Sequence, residues 1–129
     1  MERRFVEVVR KISASPEAVW EITTDTWRWP EWGPSIVHVQ CSERYIKAGS
    51  AGRVKTIFGL WLPFVITDFE HGRRWSWLVA GIQATGHRVE PIGVHRCRLV
   101  FEVPRLAFPY VVICQLAERR IAGILEKQE

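Results

Sequence analysis

The sequence predicts an α+β fold, in which a curved seven-stranded antiparallel sheet surrounds a long C-terminal helix. Three observations predict it: strand-length segments follow one another between turn residues, a helix start comes after the first of them, and an apolar helix-length segment closes the chain. At 129 residues, 47% of them hydrophobic, the chain is expected to form one domain over residues 1–129.

The first predicted elements are a strand and two short helices. Residues 3–13 suit a strand, since apolar side chains recur among charged ones without a helix breaker. Ser15-Pro16-Glu17 then marks a helix start, because Ser caps orphan amides, Pro fits the first turn and Glu favours the positive end. We expect this helix over residues 16–23 and a second short helix or turn over 26–32.

Six further strands are predicted between short turns. Their ranges are residues 36–44, 52–58, 62–71, 74–81, 85–90 and 94–103. Connections this short imply antiparallel neighbours. Trp75, Trp77 and Val79 alternate with Arg74 and Ser76, so one face of the sheet is expected to be wet and the other covered.

The last predicted element is a helix from about Phe108 to Lys127. Its first half is apolar almost all round and its second half is amphipathic, which suits burial against the sheet. A sheet folded around such a helix, with two small helices closing one end, would leave a cavity between the layers. Seven Trp residues also favour a roomy interior walled by rings.

Three segments carry a resemblance to a known family. They are Ser15-Pro16-Glu17-Ala18-Val19-Trp20, then Asp25 with Trp29-Pro30-Glu31-Trp32, and finally Gly72-Arg73-Arg74-Trp75-Ser76-Trp77 followed by Gly86-His87-Arg88-Val89-Glu90-Pro91. In these segments the chain resembles the SRPBCC superfamily, particularly its START-like polyketide cyclase/dehydrase branch. The resemblance implies a helix-grip fold. The compact connection over residues 104–109 departs from the family and favours a modest cavity.

The candidate site is an apolar pocket between sheet and helix. Trp75, Trp77 and His87 lie on neighbouring predicted strands, where stacked rings would hold a hydrophobic, aromatic or lipid-like ligand. The predicted ligand-binding residues are Trp29, Trp32, Trp75, Trp77, His87, Val89, Leu99, Phe101, Ile113 and Leu116. The alternative is that these rings are plain core, with His87 bonded to backbone and Trp29 and Trp32 pinning the short helices.

Three functions remain open at this stage. The first is binding of a small hydrophobic molecule. The second is an enzyme of cyclase, dehydratase or hydrolase type using the same pocket, with His87 as the candidate for proton transfer and Asp68 or Glu70 as further candidates. The third is a module that binds a protein partner in that groove.

Residues 59–64 read as an unusually apolar hairpin tip. The tip could close the pocket mouth as a gate or touch a partner or membrane surface. Alternatively, Leu62 and Phe64 already belong to the next strand and only Trp61 is exposed.

Several classes of function are not expected. The net charge of +4 is spread along the chain, which argues against a nucleic-acid partner. His38, His71 and His95 have no metal-ligand spacing, and no cofactor motif occurs, so neither metal nor cofactor is expected. Three unclustered cysteines, no signal peptide and no membrane span favour a cytoplasmic protein, with a homodimer left open.

Overall fold

The computed structural model describes residues 5–127, so residues 3 and 4 of the predicted first strand lie outside the described residues. The strands are β1 (Phe5–Ile12), β2 (Ile36–Cys41), β3 (Ala51–Thr56), β4 (Trp61–Glu70), β5 (Arg74–Val79), β6 (Ile82–Gly93) and β7 (Arg96–Pro104). The α-helices are α1 (Pro16–Thr24), α2 (Trp29–Trp32) and α3 (Val111–Glu126). Two short 3-10 segments, Thr26–Arg28 and Arg105–Tyr110, precede α2 and α3.

One antiparallel sheet of seven strands forms the framework, in the order β1-β7-β6-β5-β4-β3-β2. Strands β2 to β7 therefore form a meander. The last strand, β7, also pairs with the first strand, β1, and Val8 lies opposite Phe101 in this pair. Irregular pairing interrupts the register between Ile66 and Phe69 of β4, and bulges of this kind bend a sheet. The helix-grip fold predicted from the sequence is confirmed.

The two short helices are held together by the indoles of Trp29 and Trp32. Ser15 caps α1, because its Oγ accepts the amide of Ala18 at 3.1 Å. At the other end, Nε1 of Trp29 donates to the carbonyl of Thr23 at 2.8 Å, and Nε1 of Trp32 donates to the carbonyl of Ile22 at 3.1 Å. The two indoles thus satisfy carbonyls that the end of a helix leaves unpaired.

The α-helical part of the C-terminal element begins at Val111, not at Phe108 as predicted. Pro109 lies inside the predicted range, and its missing amide hydrogen and fixed φ favour a helix start after it. The chain before it forms the 3-10 segment. α3 packs on β1, β7 and α2, burying Cys114, Ala117 and Ile121 among other side chains.

The β5–β6 connection is a two-residue turn, Ala80-Gly81, with φ values of 53° and 77°. Positive φ at both central residues matches the right-handed twist of a hairpin. Val79 consequently pairs with Ile82, and β6 begins earlier than the predicted residue 85. The longer hairpin carries Ile82 to the end of the molecule where the β3–β4 connection also lies.

Charged side chains cover the outer face of the sheet around Glu102. Oε1 of Glu102 lies 2.6 Å from Arg74, and Oε2 lies 2.6 Å from Arg88. Burial raises the pKa of Glu102, but the two guanidinium groups outweigh it and hold the pKa below its usual value. Gly86 lies beneath this carboxylate, since a Cβ there would be 2.5 Å from Oε1. Arg74 and Arg88, one from each of the two sheet motifs, therefore lie on the outer face.

Within residues 5–127, none of the helices combines the length and apolar character that crossing a bilayer requires. The three cysteines, Cys41, Cys97 and Cys114, are free.

Candidate ligand-binding site

A small cavity, called here the inner cavity, lies between α3, α2 and the concave face of the sheet. Its volume is about 30 Å³, which is room for a water molecule and not for a ligand. The lining residues are Trp29, Trp32, Gly33, Pro34, Ser35, Ile36, Trp75, Trp77, Thr85, His87, Phe101, Tyr110, Ile113, Cys114 and Ala117. The ligand-sized hollow expected at this place is largely filled by aromatic rings.

The filling is a continuous cluster of rings around His87. The imidazole stacks on Trp75 with centroids 3.8 Å apart, and Trp75 in turn stacks on Trp29 at 5.6 Å. Phe101 presents its edge to His87 at 4.8 Å, and Trp77 lies edge-on to Trp75 at 5.6 Å. Such stacked and edge-to-face pairs contribute beyond simple area burial, so the cluster is a stable wall.

Hydrogen bonds fix the tautomer of His87. Its Nδ1 lies 3.3 Å from the carbonyl oxygen of Trp75, which can only accept, so Nδ1 carries the hydrogen. Nε2 must then accept from the hydroxyl of Thr85, 2.9 Å away. Thr85 Oγ1 in turn accepts from Nε1 of Trp77 at 3.2 Å. Every polar atom of the imidazole is in use.

Burial keeps His87 neutral. Its side chain is 3% exposed, and desolvation lowers its pKa from 6.5 to about 3, against the bond to Trp75 and the charge of Glu102, which favour the proton. A group that is neutral and fully bonded at neutral pH is poorly suited to exchange protons with a substrate. Proton transfer by His87 is therefore not favoured by its surroundings.

A larger opening, called here the mouth groove, adjoins the inner cavity at the end of the sheet. Its volume is about 450 Å³. The lining residues are Ser35, Ile36, Val54, Thr56, Ile57, Phe58, Leu62, Trp77, Val79, Ala80, Ile82, Gln83, Ala84, Thr85, Val103, Pro104, Ala107 and Tyr110. Most are apolar, and none of these described residues is charged. The mouth groove is therefore a ligand-sized apolar space. A second groove, of about 530 Å³, lies beside α1, but Glu17 and Glu21 are among the residues that line it.

Five residues line both spaces and form their boundary: Ser35, Ile36, Trp77, Thr85 and Tyr110. The hydroxyls of Ser35 and Tyr110 are 2.8 Å apart and hydrogen-bonded. This bond joins the loop before β2 to the 3-10 segment before α3. The boundary thus combines two largely apolar side chains, Ile36 and Trp77, with three that carry hydroxyl groups, Ser35, Thr85 and Tyr110.

The structure brings seven of the ten predicted ligand-binding residues to the inner cavity: Trp29, Trp32, Trp75, Trp77, His87, Phe101 and Ile113. Only Trp77 among them also reaches the mouth groove. Val89 and Leu99 are buried in the core and Leu116 is half-buried on α3, and all three line neither space.

The two further candidates for proton transfer lie elsewhere. Asp68 is exposed, and its Oδ2 accepts from Ser76 at 3.0 Å on the outer face, 3.7 Å from Arg74. Glu70 is exposed at the end of β4. Neither lines the inner cavity or the mouth groove, so their suggested role in the pocket is wrong. Strand alternation explains the result, because residues 68 and 76 point away from the helix side.

Sequence reasoning missed most of the mouth groove. Thr85 could have been found, because it stands two residues before His87 and so shares its face of β6. Tyr110 and Ser35 carry no such signal, since they belong to connections whose positions depend on the whole sheet. The predicted site was thus the wall behind the groove.

The apolar tip matches the strand interpretation only in part. Leu62 and Phe64 belong to β4, and Phe64 is buried. Trp61 is only partly exposed, with the guanidinium of Arg53 4.6 Å above its ring. The strongly exposed residues are instead Ile57, Phe58 and Leu60.

Two buried titratable groups of α3 lie near the cluster. Glu118 is 2% exposed, and its Oε2 has no hydrogen-bond partner. Desolvation raises the pKa of its carboxyl to about 8, although a backbone hydrogen bond from Phe101 and the charge of Arg10 act in the opposite direction. Desolvation, with Glu118 adding to it, raises the pKa of Cys114 to about 12. Both groups are therefore protonated at neutral pH. Among residues 5–127, no three metal-ligating side chains come together.

Comparison with known proteins places these features in a family. Residues 3–128 match the family described as polyketide cyclase / dehydrase and lipid transport. None of the curated proteins matches the chain in sequence.

Solved structures with the same fold come from several bacteria. A START superfamily protein from Mycobacterium smegmatis is 14% identical, with 97% of this chain and 99% of that chain covered and a TM-score of 0.73. Protein XoxI from Bacillus cereus is 12% identical, with 95% and 96% covered and a TM-score of 0.75. Protein MLL2253 from Mesorhizobium loti is 15% identical, with 98% and 99% covered and a TM-score of 0.75. At such low identities these likenesses establish the fold alone.

Proposed function

Because the chain belongs to the polyketide cyclase / dehydrase and lipid transport family, we propose that it binds a small hydrophobic molecule in the mouth groove. The observation that carries the proposal is the groove itself. Its volume of about 450 Å³ falls in the range of small-molecule sites, and its walls are apolar with few polar groups. The inner cavity is too small to serve, so the ring cluster forms the back wall.

The polar end of the ligand lies at the boundary with the inner cavity. Thr85 donates to His87 and accepts from Trp77, which leaves its oxygen one further lone pair. Ser35 and Tyr110 offer two more hydroxyls on the opposite side of this boundary. A ligand with an apolar body and one hydroxyl or carbonyl group fits this distribution.

Binding is better supported than catalysis. An enzyme working in this groove needs a proton donor or acceptor that reaches the ligand, and His87 is already bonded at both nitrogens behind Trp77 and Thr85. No charged residue lines the groove in the described part of the chain. We therefore propose a carrier or sensor of a hydrophobic ligand, and the free cysteines are compatible with action in the cytoplasm.

Filling the groove tests the proposal. The fluorescent probe 1-anilinonaphthalene-8-sulfonate has an apolar ring system of suitable size, and its emission rises when it leaves water. In the Ala84→Phe variant a phenyl ring occupies the groove, so we expect probe affinity to fall at least about tenfold. Native mass spectrometry of freshly purified protein should also show a bound small molecule that is lost on denaturation.

The matched control is Ala51→Phe, at an exposed position of β3 that does not line the groove. This variant should bind the probe as the wild type does. Equal loss in both variants, or equal binding in both, would place the probe elsewhere and overturn the proposed site. A wild type that takes up no probe and carries no small molecule would overturn the function.

A further inference from the structure

Large apolar side chains are exposed around the opening of the mouth groove. They belong to three separate segments and are called here the apolar rim: Ile57, Phe58 and Leu60 from the β3–β4 connection, Ile82 from the β5–β6 hairpin, and Leu106, Phe108 and Val112 from the chain around the start of α3. Leu60 is 61% exposed, Phe108 is 60% exposed and Leu106 is fully exposed. Exposed apolar groups gathered in this way mark an interaction surface.

These segments surround one opening. Ile57, Phe58, Ile82 and Ala107 all line the mouth groove, so the three connections that carry the rim meet at its edge. The groove at the other end of the sheet, beside α1, is different, because Glu17 and Glu21 line it. Exposed apolar side chains occur at the other end too, for example Val94, but the rim is the set that surrounds the opening at which a ligand would enter.

The three segments that carry the rim contain cations and no acidic residue. Residues 44–67, 71–89 and 103–117, which include all three rim segments, contain no Asp or Glu. Lys55 lies two residues before Ile57, and Arg105 directly precedes Leu106. An apolar tip flanked by cations is the arrangement by which proteins lie on anionic membrane surfaces, with apolar side chains in the acyl boundary and cations at the headgroups.

We propose that the apolar rim docks on the surface of an anionic lipid bilayer, so that the mouth groove opens toward the lipid. A second copy of this chain is disfavoured as the occupant, because pairing the rim with itself would bring together two sets of rim segments that carry cations and no acid. The functional role of docking rests on the proposed function, because a hydrophobic ligand partitions into the bilayer and would enter the mouth groove from there. Docking itself needs no ligand and can be measured separately.

Vesicle sedimentation tests the proposal directly. The wild-type protein is mixed with vesicles of phosphatidylcholine and phosphatidylglycerol, or of phosphatidylcholine alone, and the pelleted fraction is measured. We expect binding to the mixed vesicles that weakens as salt is added, because exposed charges are screened. Binding that ignores both phosphatidylglycerol and salt would overturn the charge argument, and absence of binding would overturn the proposal.

The double substitution Leu60→Asp with Phe108→Asp tests the rim. Neither residue lines the mouth groove, and both are largely exposed, so folding and probe uptake should persist. Two charges in place of inserted side chains should weaken vesicle binding at least about tenfold. The control is Val94→Asp, in which a residue 77% exposed at the β6–β7 turn, at the opposite end, is changed in the same way.

The outcomes are distinguishable. Loss in the double variant with retention in Val94→Asp supports docking through the rim. Equal binding by all three proteins overturns it, and so does a wild-type dimer in sedimentation velocity that the double substitution splits. Failure of docking with normal probe uptake overturns this inference alone, whereas a wild type that binds vesicles and takes up no probe overturns only the proposed function.

Discussion

The hydroxyl of Tyr110 lies 2.8 Å from Oγ of Ser35, and this hydrogen bond spans the boundary between the inner cavity and the mouth groove. It ties the segment before α3 to the loop before β2, which are far apart in sequence. Both residues are at least partly accessible, so the bond can break without unfolding the core. It is suited to hold the back of the groove closed.

Removing the Tyr110 hydroxyl should make the boundary looser. In the Tyr110→Phe variant we expect the probe 1-anilinonaphthalene-8-sulfonate to dissociate several-fold faster, because one constraint on the groove wall is lost while the ring remains. Stopped-flow fluorescence measures the rate. Tyr45→Phe, at an exposed tyrosine outside the groove, should leave it unchanged. A rate that is the same in Tyr110→Phe and the wild type would show that the bond does not control access.

His87 should make the protein sensitive to acid. Its pKa falls from 6.5 to about 3 on folding, mainly through desolvation, so the unfolded chain takes up a proton that the folded one refuses. This contribution to stability is complete above pH 6.5 and is lost as the pH falls toward 3. The His87→Gln variant lacks this pH dependence, because an amide does not titrate.

We therefore expect the stability difference between His87→Gln and wild type to change in favour of the variant as the pH falls below 6.5. The slope approaches about 1.4 kcal/mol per pH unit in urea titrations. His38→Gln, the same exchange at an exposed position of β2, is the control. Parallel pH profiles for His87→Gln and the wild type would mean that His87 is charged in the folded state.

The buried carboxyl of Glu118 should have the opposite effect. Its pKa rises from 4.5 to about 8 on folding, chiefly by desolvation, so the folded state holds a proton that the unfolded chain releases. Stability is complete below pH 4.5 and declines as the pH rises toward 8. The effects of His87 and Glu118 oppose each other between pH 4.5 and 6.5, so only the variants separate them.

Glu118→Gln should thus be more stable than the wild type at pH 8, by an amount that shrinks toward pH 5. Thermal unfolding followed by circular dichroism measures the difference at each pH. Glu70→Gln, the same exchange at an exposed position of β4, is the control. A variant that is less stable than the wild type at every pH would show that Glu118 is ionised and paired.

Local sequence patterns correctly predicted which side chains of the sheet face inward. Alternation along β5 and β7 assigns Trp75, Trp77, Leu99 and Phe101 to the inside, and all four are buried. Alternation is a property of each strand alone, so it survives any error in the turns. That the whole chain forms one domain stays a prediction.

The mouth groove could not be predicted in the same way. Ile36, Ile82 and Ala107 meet there from connections distant in the sequence, and their approach depends on the curvature of the sheet and on the path before α3. Helix α3 begins later than predicted because of Pro109, and the β5–β6 hairpin is longer than predicted because its turn is only Ala80 and Gly81. Packing of the rings against one another, which closed the inner cavity, also depends on three-dimensional distances that no local pattern specifies.

The ion pairs on the outer face of the sheet leave no room for a side chain at Gly86. An added Cβ would lie 2.5 Å from Oε1 of Glu102 and 3.2 Å from Nη2 of Arg74. The carboxylate would have to move, and Glu102 would lose optimal contact with both Arg74 and Arg88 while staying largely buried. Weakening a buried ion pair costs more than an exposed one, because water replaces it poorly.

Gly86→Ala should therefore lower the free energy of unfolding by about 2 kcal/mol, measured by urea titration at neutral pH. If the glycine were only a flexible point in a strand, alanine would instead stabilise the protein by roughly 0.5–1 kcal/mol, since it restricts the unfolded chain. Gly123→Ala in α3 supplies that comparison, because nothing lies within 4 Å of the added Cβ and alanine favours a helix. The two substitutions should shift stability in opposite directions, and a stabilised Gly86→Ala variant would show that the carboxylate of Glu102 is not held in place.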